Sequence, residues 1–189
     1  MMMIARSRKV NGVTMANASA TPKNPRMPAG GLDDIDLAIV AELAADARIT
    51  NAALAARTGV AESTSIKRLR ALRAAGIITG FAAQLNLAAL GFPIQAVIKV
   101  RLSSHNRDHV LRFHATLTKI PGVLTAFHVA GEDDYLVHVA TTSPEELRDL
   151  VLNHINVNRE VRQTETQLVF SVLPGAGVPF ETRTAISKM

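Results

Sequence analysis

Apolar residues along this chain first fall into a period at Leu32, Ile35, Ile39 and Leu43, steps of three and four that line one face of a helix. Asp33, Asp34 and Asp36 crowd the first turn of that helix, where negative charge complements the helix dipole. Thr50 is placed to cap a short second helix, Asn51 to Arg57, which Thr58-Gly59 ends. A third helix is expected from Glu62 to Ala75, with Gly76 just past its end. Three short helices over residues 31–80, with a glycine turn between the second and third, predict a helix-turn-helix domain.

Beyond Gly76 the period shifts from helical to alternating. Residues 77–86 read as a short connecting strand, followed by the turn near Gly91-Phe92-Pro93, and residues 81–92 are taken as the linker strand between the two domains. Ile94, Ala96, Ile98, Val100 and Leu102 then alternate with Gln95, Lys99 and Arg101, a strand with one buried face. Asn106 starts a helix that Pro121-Gly122 stops. Two strands follow, Val123–Ala130 and Tyr135–Thr141, joined by Gly131-Glu132-Asp133-Asp134. Ser143-Pro144-Glu145-Glu146 starts another helix, with Ser as cap, Pro at the first position and Glu146 completing a capping box. A last strand is expected from Val161 to Leu173. The order predicts an α+β chain, in which the helix-turn-helix domain precedes a ferredoxin-like βαββαβ domain over residues 93–173.

Charge acquires meaning only once it is located. The net +5 resides in residues 1–30, which hold Arg6, Arg8, Lys9, Lys23 and Arg26 and no acid; the other 16 basic residues meet 16 acidic ones. We read residues 1–30 as a disordered basic arm and residues 174–189 as an extended C-terminal tail. The absence of cysteine excludes disulfides and thiolate metal sites and fits a cytoplasmic protein. No apolar run approaches the ~20 residues of a membrane helix, so no membrane partner is expected.

Within the third helix, Ser65, Ile66, Leu69 and Leu72 converge on one side. Thr64, Lys67 and Ala71 lie opposite, flanked by Ser63, Arg68 and Arg70. All four basic residues between Arg57 and Lys99 fall in positions 67 to 73. A helix entering a DNA groove needs that segregation: donors outside for phosphates and base edges, aliphatic side chains inside to anchor it. Ser63, Thr64, Lys67, Arg68 and Arg70 are therefore the expected contacts to double-stranded DNA.

Several stretches carry a family likeness. They are Leu32-Asp33-Asp34-Ile35-Asp36, Leu43 to Arg48 followed by Ile49, Lys67-Arg68-Leu69 with Leu72, and Gly76-Ile77-Ile78-Thr79-Gly80-Phe81. Pro121-Gly122-Val123 and Gly131-Glu132-Asp133-Asp134-Tyr135 continue the series in the second domain. In order and spacing, from Leu32 to about Leu173, the chain resembles the Lrp/AsnC, or feast/famine, family of bacterial and archaeal regulators. The resemblance implies a winged helix-turn-helix reader, a ferredoxin-like effector and oligomerisation domain, dimers that assemble into octamers, and amino acids as effectors of a sequence-specific transcription regulator of amino-acid metabolism. It carries Gly131, Asp134 and Tyr135 into an effector site near a contact between dimers, with Thr166 close to the same interface. Read from its residues alone, the 131–135 segment is also a plain acidic hairpin turn. Two positions depart from the family pattern: Ala61 stands where a capping Ser is usual, and Ser65 where an apolar residue is usual.

Other chemistries find little support in the sequence. His105 and His109 are four apart, and His128 and His138 fall on adjacent strands, but no carboxylate completes a zinc set at characteristic spacing. No metal or other cofactor is expected. There is no cysteine nucleophile, phosphate loop or Ser-centred elbow, and His114 with Ser103-Ser104 forms no constellation, so no enzyme is expected. An architectural DNA-coating protein is the nearer alternative; phased, sequence-dependent footprints distinguish a regulator from uniform coating.

Overall fold

The structure, a computed structural model, describes residues 31–104 and 106–178. The arm expected over residues 1–30, the tail beyond residue 178, and His105 lie outside the described residues. The chain divides into two compact units, with the boundary between Ala82 and Ala83.

The first unit is built from three helices, α1 (Asp34–Ala45), α2 (Asn51–Thr58) and α3 (Glu62–Ala74). Asp33 caps α1: its carboxylate accepts from the Asp36 amide at 2.8 Å, and the Asp36 carboxylate accepts from the Asp33 amide at 3.3 Å. The acids expected to serve the helix dipole thus also close a reciprocal cap. Thr50 Oγ1 accepts from the Ala53 amide at 3.2 Å, and Gly59, in the left-handed conformation, ends α2. Ile39, Leu43, Leu54 and Leu72 form the core, with Leu32, Ile35, Ile49 and Leu69 packed around it. Burying those aliphatic side chains, at about 25 cal/mol per Å² of apolar surface, holds three short helices that would not persist singly.

The second unit is an antiparallel sheet in the order β2-β3-β1-β4, formed by β1 (Ile94–Leu102), β2 (Val123–His128), β3 (Tyr135–Thr141) and β4 (Val161–Leu168). Two helices, α4 (Arg107–Leu117) and α5 (Pro144–Leu150), cover one face, and α5 widens into a π-helical turn at Val151–Ile155. The core interleaves Ala96, Ile98 and Val100 of β1 with Tyr135, Val137 and Val139 of β3 beneath Phe113, Leu117, Leu147 and Ile155. Phe113 meets Tyr135 edge to face at 5.1 Å. This is the expected ferredoxin-like βαββαβ arrangement.

Gly122 opens β2 at φ +88, where an added Cβ would meet the Ala140 carbonyl oxygen at 3.0 Å and Leu150 Cδ1 at 3.2 Å. Only glycine permits so close an approach of the two strands and the helix above them.

Two boundaries differ from expectation. The connecting strand expected at 77–86 carries no ladder: those residues run as turn and irregular chain. Strand-like sequence needs a partner's amides and carbonyls to become a strand, and none among the described residues pairs with it. The last strand ends at Leu168 rather than Leu173, because the ladder to β1 runs out at Ala96 and only Val169 adds one further bond, to the Gln95 carbonyl at 2.9 Å.

Candidate nucleic-acid interface and effector face

The outer side of α3 follows from its packing. Ser65 and Leu72 are buried, and Ile66 and Leu69 are half-buried, so the positions between them point outward. Ser63, Thr64, Lys67 and Arg70 are all exposed, with Ala71, Arg73 and Ala74. Ser63, Lys67, Arg70 and Ala74 stand at helical spacing along one line, which presents small side chains at the N-terminal end and cations further along. Lys67, Arg70 and Arg73 make no ion pair among the described residues. At its N-terminus, Ala61 provides no side-chain cap, so the Ser that is absent at this position is not replaced by Ser63.

Arg68 stands apart from the other expected DNA contacts. It does not join the outward cations but turns back to α1, where its Nη1 donates to Asp33 Oδ2 at 2.7 Å and Asp36 Oδ1 at 2.9 Å. The Asp33 carboxyl is held below the ordinary carboxylate range, chiefly by the Asp36 amide and next by Arg68. The Arg68 guanidinium is shifted upward by the same two acids. A matching pair, Arg57 to Glu42 at 2.8 Å, ties α2 to α1. The signal for both was present in the sequence as a crowd of acids on the first helix, which the helix dipole alone does not require.

The β2–β3 hairpin holds three of the four expected effector residues, Gly131, Asp134 and Tyr135. Gly131 sits exposed at its tip with φ +140, and an added Cβ would meet nothing within 4 Å, so the backbone there is open to solvent. The Asp134 carboxylate is not a free anchor: it accepts from the Leu102 amide at 2.7 Å. The Tyr135 side chain is fully buried, its hydroxyl donating to the Val110 carbonyl at 3.4 Å, with His128 stacked on its ring at 4.7 Å. Burial raises its phenol to about 12. Tyr135 is therefore a core residue, because the strand alternation that turns Leu136 to the open face turns Tyr135 inward.

Thr166 lies elsewhere. It pairs with Ile98 on the edge strand β4, with β1 between it and β3, and lines a cavity of about 270 Å³ with Pro144, Leu147, Arg148, Val151 and Leu152. The chain by itself does not bring Thr166 to the hairpin.

The hairpin acids are compensated from the open face of the sheet, a feature sequence reasoning missed. Arg101 reaches Glu132 at 2.6 Å and Asp133 at 3.0 Å, while Lys99 reaches Glu165 at 3.6 Å and Asp133 at 3.9 Å. On the same face His138 meets Gln95 at 3.0 Å, and burial holds its imidazole below the usual value. Among the described residues no three His, Cys, Asp or Glu side chains gather as metal ligands, and no helix is long and apolar enough to cross a membrane.

Comparison with known proteins agrees with this division. Residues 32–79 match the winged helix-turn-helix DNA-binding family, and residues 95–175 match the Lrp/AsnC ligand binding domain. The chain is 39% identical over 166 residues to the HTH-type transcriptional regulator AldR of Mycolicibacterium smegmatis, covering 88% of this chain and 96% of that protein. It is 34% identical to the leucine-responsive regulatory protein of Rhizobium meliloti, covering 72% and 88%. A transcriptional regulator of Neisseria meningitidis crystallised as a complex with L-Met superposes with a TM-score of 0.70 at 29% identity, covering 78% and 96%. With both of its units matched and two relatives above 30% identity over most of their length, this chain belongs to the Lrp/AsnC family of DNA-binding transcriptional regulators.

Proposed function

We propose that the chain is a non-enzymatic, cytoplasmic regulator of amino-acid metabolism that reads double-stranded DNA through Ser63, Thr64, Lys67 and Arg70. One observation carries the proposal: α3 packs its aliphatic side into the core and leaves its small and cationic side exposed, without ion pairs among the described residues. Lys67 and Arg70 neutralise phosphates or meet guanine edges, and Ser63 and Thr64 allow the helix N-terminus to approach the bases closely. In a dimer, two such helices read successive major grooves about 34 Å apart.

The second unit is the effector and assembly domain. A free amino acid is its proposed ligand, supported by the L-Met bound in the Neisseria relative and by the exposed backbone at Gly131. With Asp134 engaged by Leu102 and Tyr135 buried, these two shape the hairpin, and the ligand meets the backbone they hold. Thr166 reaches such a site only across a contact between copies, which accords with effector control of a dimer-to-octamer equilibrium. Exposed apolar side chains along the C-terminal run, Leu168, Phe170, Val172 and Leu173, support burial against another copy.

The test is fluorescence anisotropy with duplexes recovered by in vitro selection, run beside light scattering with and without each free amino acid. Sequence-dependent binding that Lys67→Ala and Arg70→Ala weaken, and an oligomer that shifts with one or a few amino acids, are the expected results. Uniform coating of unrelated duplexes contradicts the regulator.

A further inference from the structure

We propose that Arg68 positions the DNA-reading helix rather than contacting DNA, a role that rests on the function proposed above for α3. Four cations lie on that helix, and only Arg68 is spent inside the unit: its side chain is 29% exposed and Asp36's is 13%. One guanidinium nitrogen donates to two carboxylates, and both carboxylates are already fixed as the reciprocal cap of α1. The acceptors are thus also held by bonds that do not involve Arg68, and the joint ties the start of α1 to the middle of α3.

Competition between the two destinations favours the joint. To reach a phosphate, Arg68 must give up two charge-assisted hydrogen bonds for the contacts one phosphate offers. It would also leave Asp33 and Asp36 unshielded beside a polyanion, where like charge repels. Arg68 follows Lys67 directly and precedes Arg70 by two, so each lies on a different azimuth of one rigid cylinder. Fixing Arg68 to α1 therefore adds to the packing of Leu69 and Leu72 a polar restraint on the rotation of α3 about its axis, and with it on the direction in which Lys67 and Arg70 point.

The experiment uses the full-length chain with 30-base-pair duplexes selected by the wild-type protein and with random duplexes of that length, each titrated across a series of salt concentrations. Lys67→Gln and Arg70→Gln are expected each to lower the slope of log K against log salt by ~0.9. Arg68→Gln is expected to keep the wild-type slope and to narrow the selected-to-random affinity ratio about five-fold. Asp36→Asn is expected to narrow the ratio similarly, and the double variant to narrow it no further. Arg68→Lys, which keeps the charge on a shorter and more strongly hydrated head group, is a second variant and is expected to fall between wild type and Arg68→Gln. A merely structural ion pair would lower the unfolding midpoint and leave the ratio untouched. A slope loss of ~0.9 for Arg68→Gln, or tighter binding by Asp36→Asn, overturns the positioning role and makes Arg68 a phosphate contact. If Lys67→Gln and Arg70→Gln also leave slope and affinity unchanged, the assignment of α3 to DNA fails, and the role of Arg68 with it.

Discussion

The Asp134 carboxylate accepts a hydrogen bond from the Leu102 amide at 2.7 Å, and the Asp134 amide donates to the Val100 carbonyl at 2.9 Å. One residue at the base of the β2–β3 hairpin thus grips the end of β1 twice. Leu102 is buried, so its amide has no ready water to replace the carboxylate. Asp134→Ala is expected to cost about 1–3 kcal/mol in urea unfolding, by stranding that amide. Asp134→Asn, whose side-chain oxygen still accepts, should recover most of the loss. An effector response lost in both variants at full stability would instead assign Asp134 to the ligand.

Ser65 is the other place where a single polar atom decides a prediction. Its side chain is fully buried in α3, and its Oγ has no hydrogen-bond partner among the described residues. Ser65→Ala removes the unsatisfied hydroxyl and improves helix propensity, so it should stabilise the first unit by about 1 kcal/mol. Thermal unfolding followed by circular dichroism checks the sign. A lowered midpoint would show that the hydroxyl holds a bond to the helix backbone.

Much of this architecture was legible because burial imposes a period on sequence. The alternation from Ile94 to Leu102, the spacing of Ile39 and Leu43, and that of Leu69 and Leu72 point to the two cores directly. Side-chain pairing across long separations leaves no such trace. Arg68 and Asp33 are 35 positions apart, and periodicity gives Arg68 a flank of the helix without saying which neighbour claims it. Capping shows the same limit on a smaller scale. Ser143 caps α5 as its sequence indicates, but the Glu146 carboxylate accepts from the Thr142 amide at 2.7 Å and the Thr142 hydroxyl at 2.6 Å, one residue before the expected return bond. The connecting segment at 77–86 has strand-like composition, yet composition cannot supply a ladder partner. The exposed face of α3 was legible because exposure, like burial, follows helical period.

Gly122→Ala is expected to destabilise the second unit. The added methyl would stand 3.0 Å from the Ala140 carbonyl oxygen and 3.2 Å from Leu150 Cδ1, at a backbone φ of +88 that alanine adopts only with strain. Leucine's methyl can yield, but the carbonyl belongs to a paired strand and cannot. A loss of about 1–3 kcal/mol is expected in urea unfolding, whereas Gly59→Ala, with nothing within 4 Å, should register only the conformational part.

The second unit should also lose stability in mild acid. His114 is held below its ordinary value of 6.5, first by burial and then by the nearby His128, and His138 is held below 6.5 by burial. Both imidazoles thus take up a proton less readily in the folded chain than in the unfolded one. As pH falls through 6.5 the unfolded chain takes up protons at these positions before the folded chain does, and linkage then favours unfolding; well above 6.5 both states are deprotonated there and the effect fades. Asp33 has the opposite kind of shift, a depressed carboxyl, whose contribution persists above 3.8 and is lost only as pH falls through its lower folded value. Urea unfolding from about pH 8 to about pH 5 should therefore show a falling midpoint for the sheet unit while the Asp33–Arg68 joint holds. His114→Gln combined with His138→Gln removes both proton acceptors and should flatten that fall. A double variant that retains the wild-type pH slope would place the acid sensitivity in other groups.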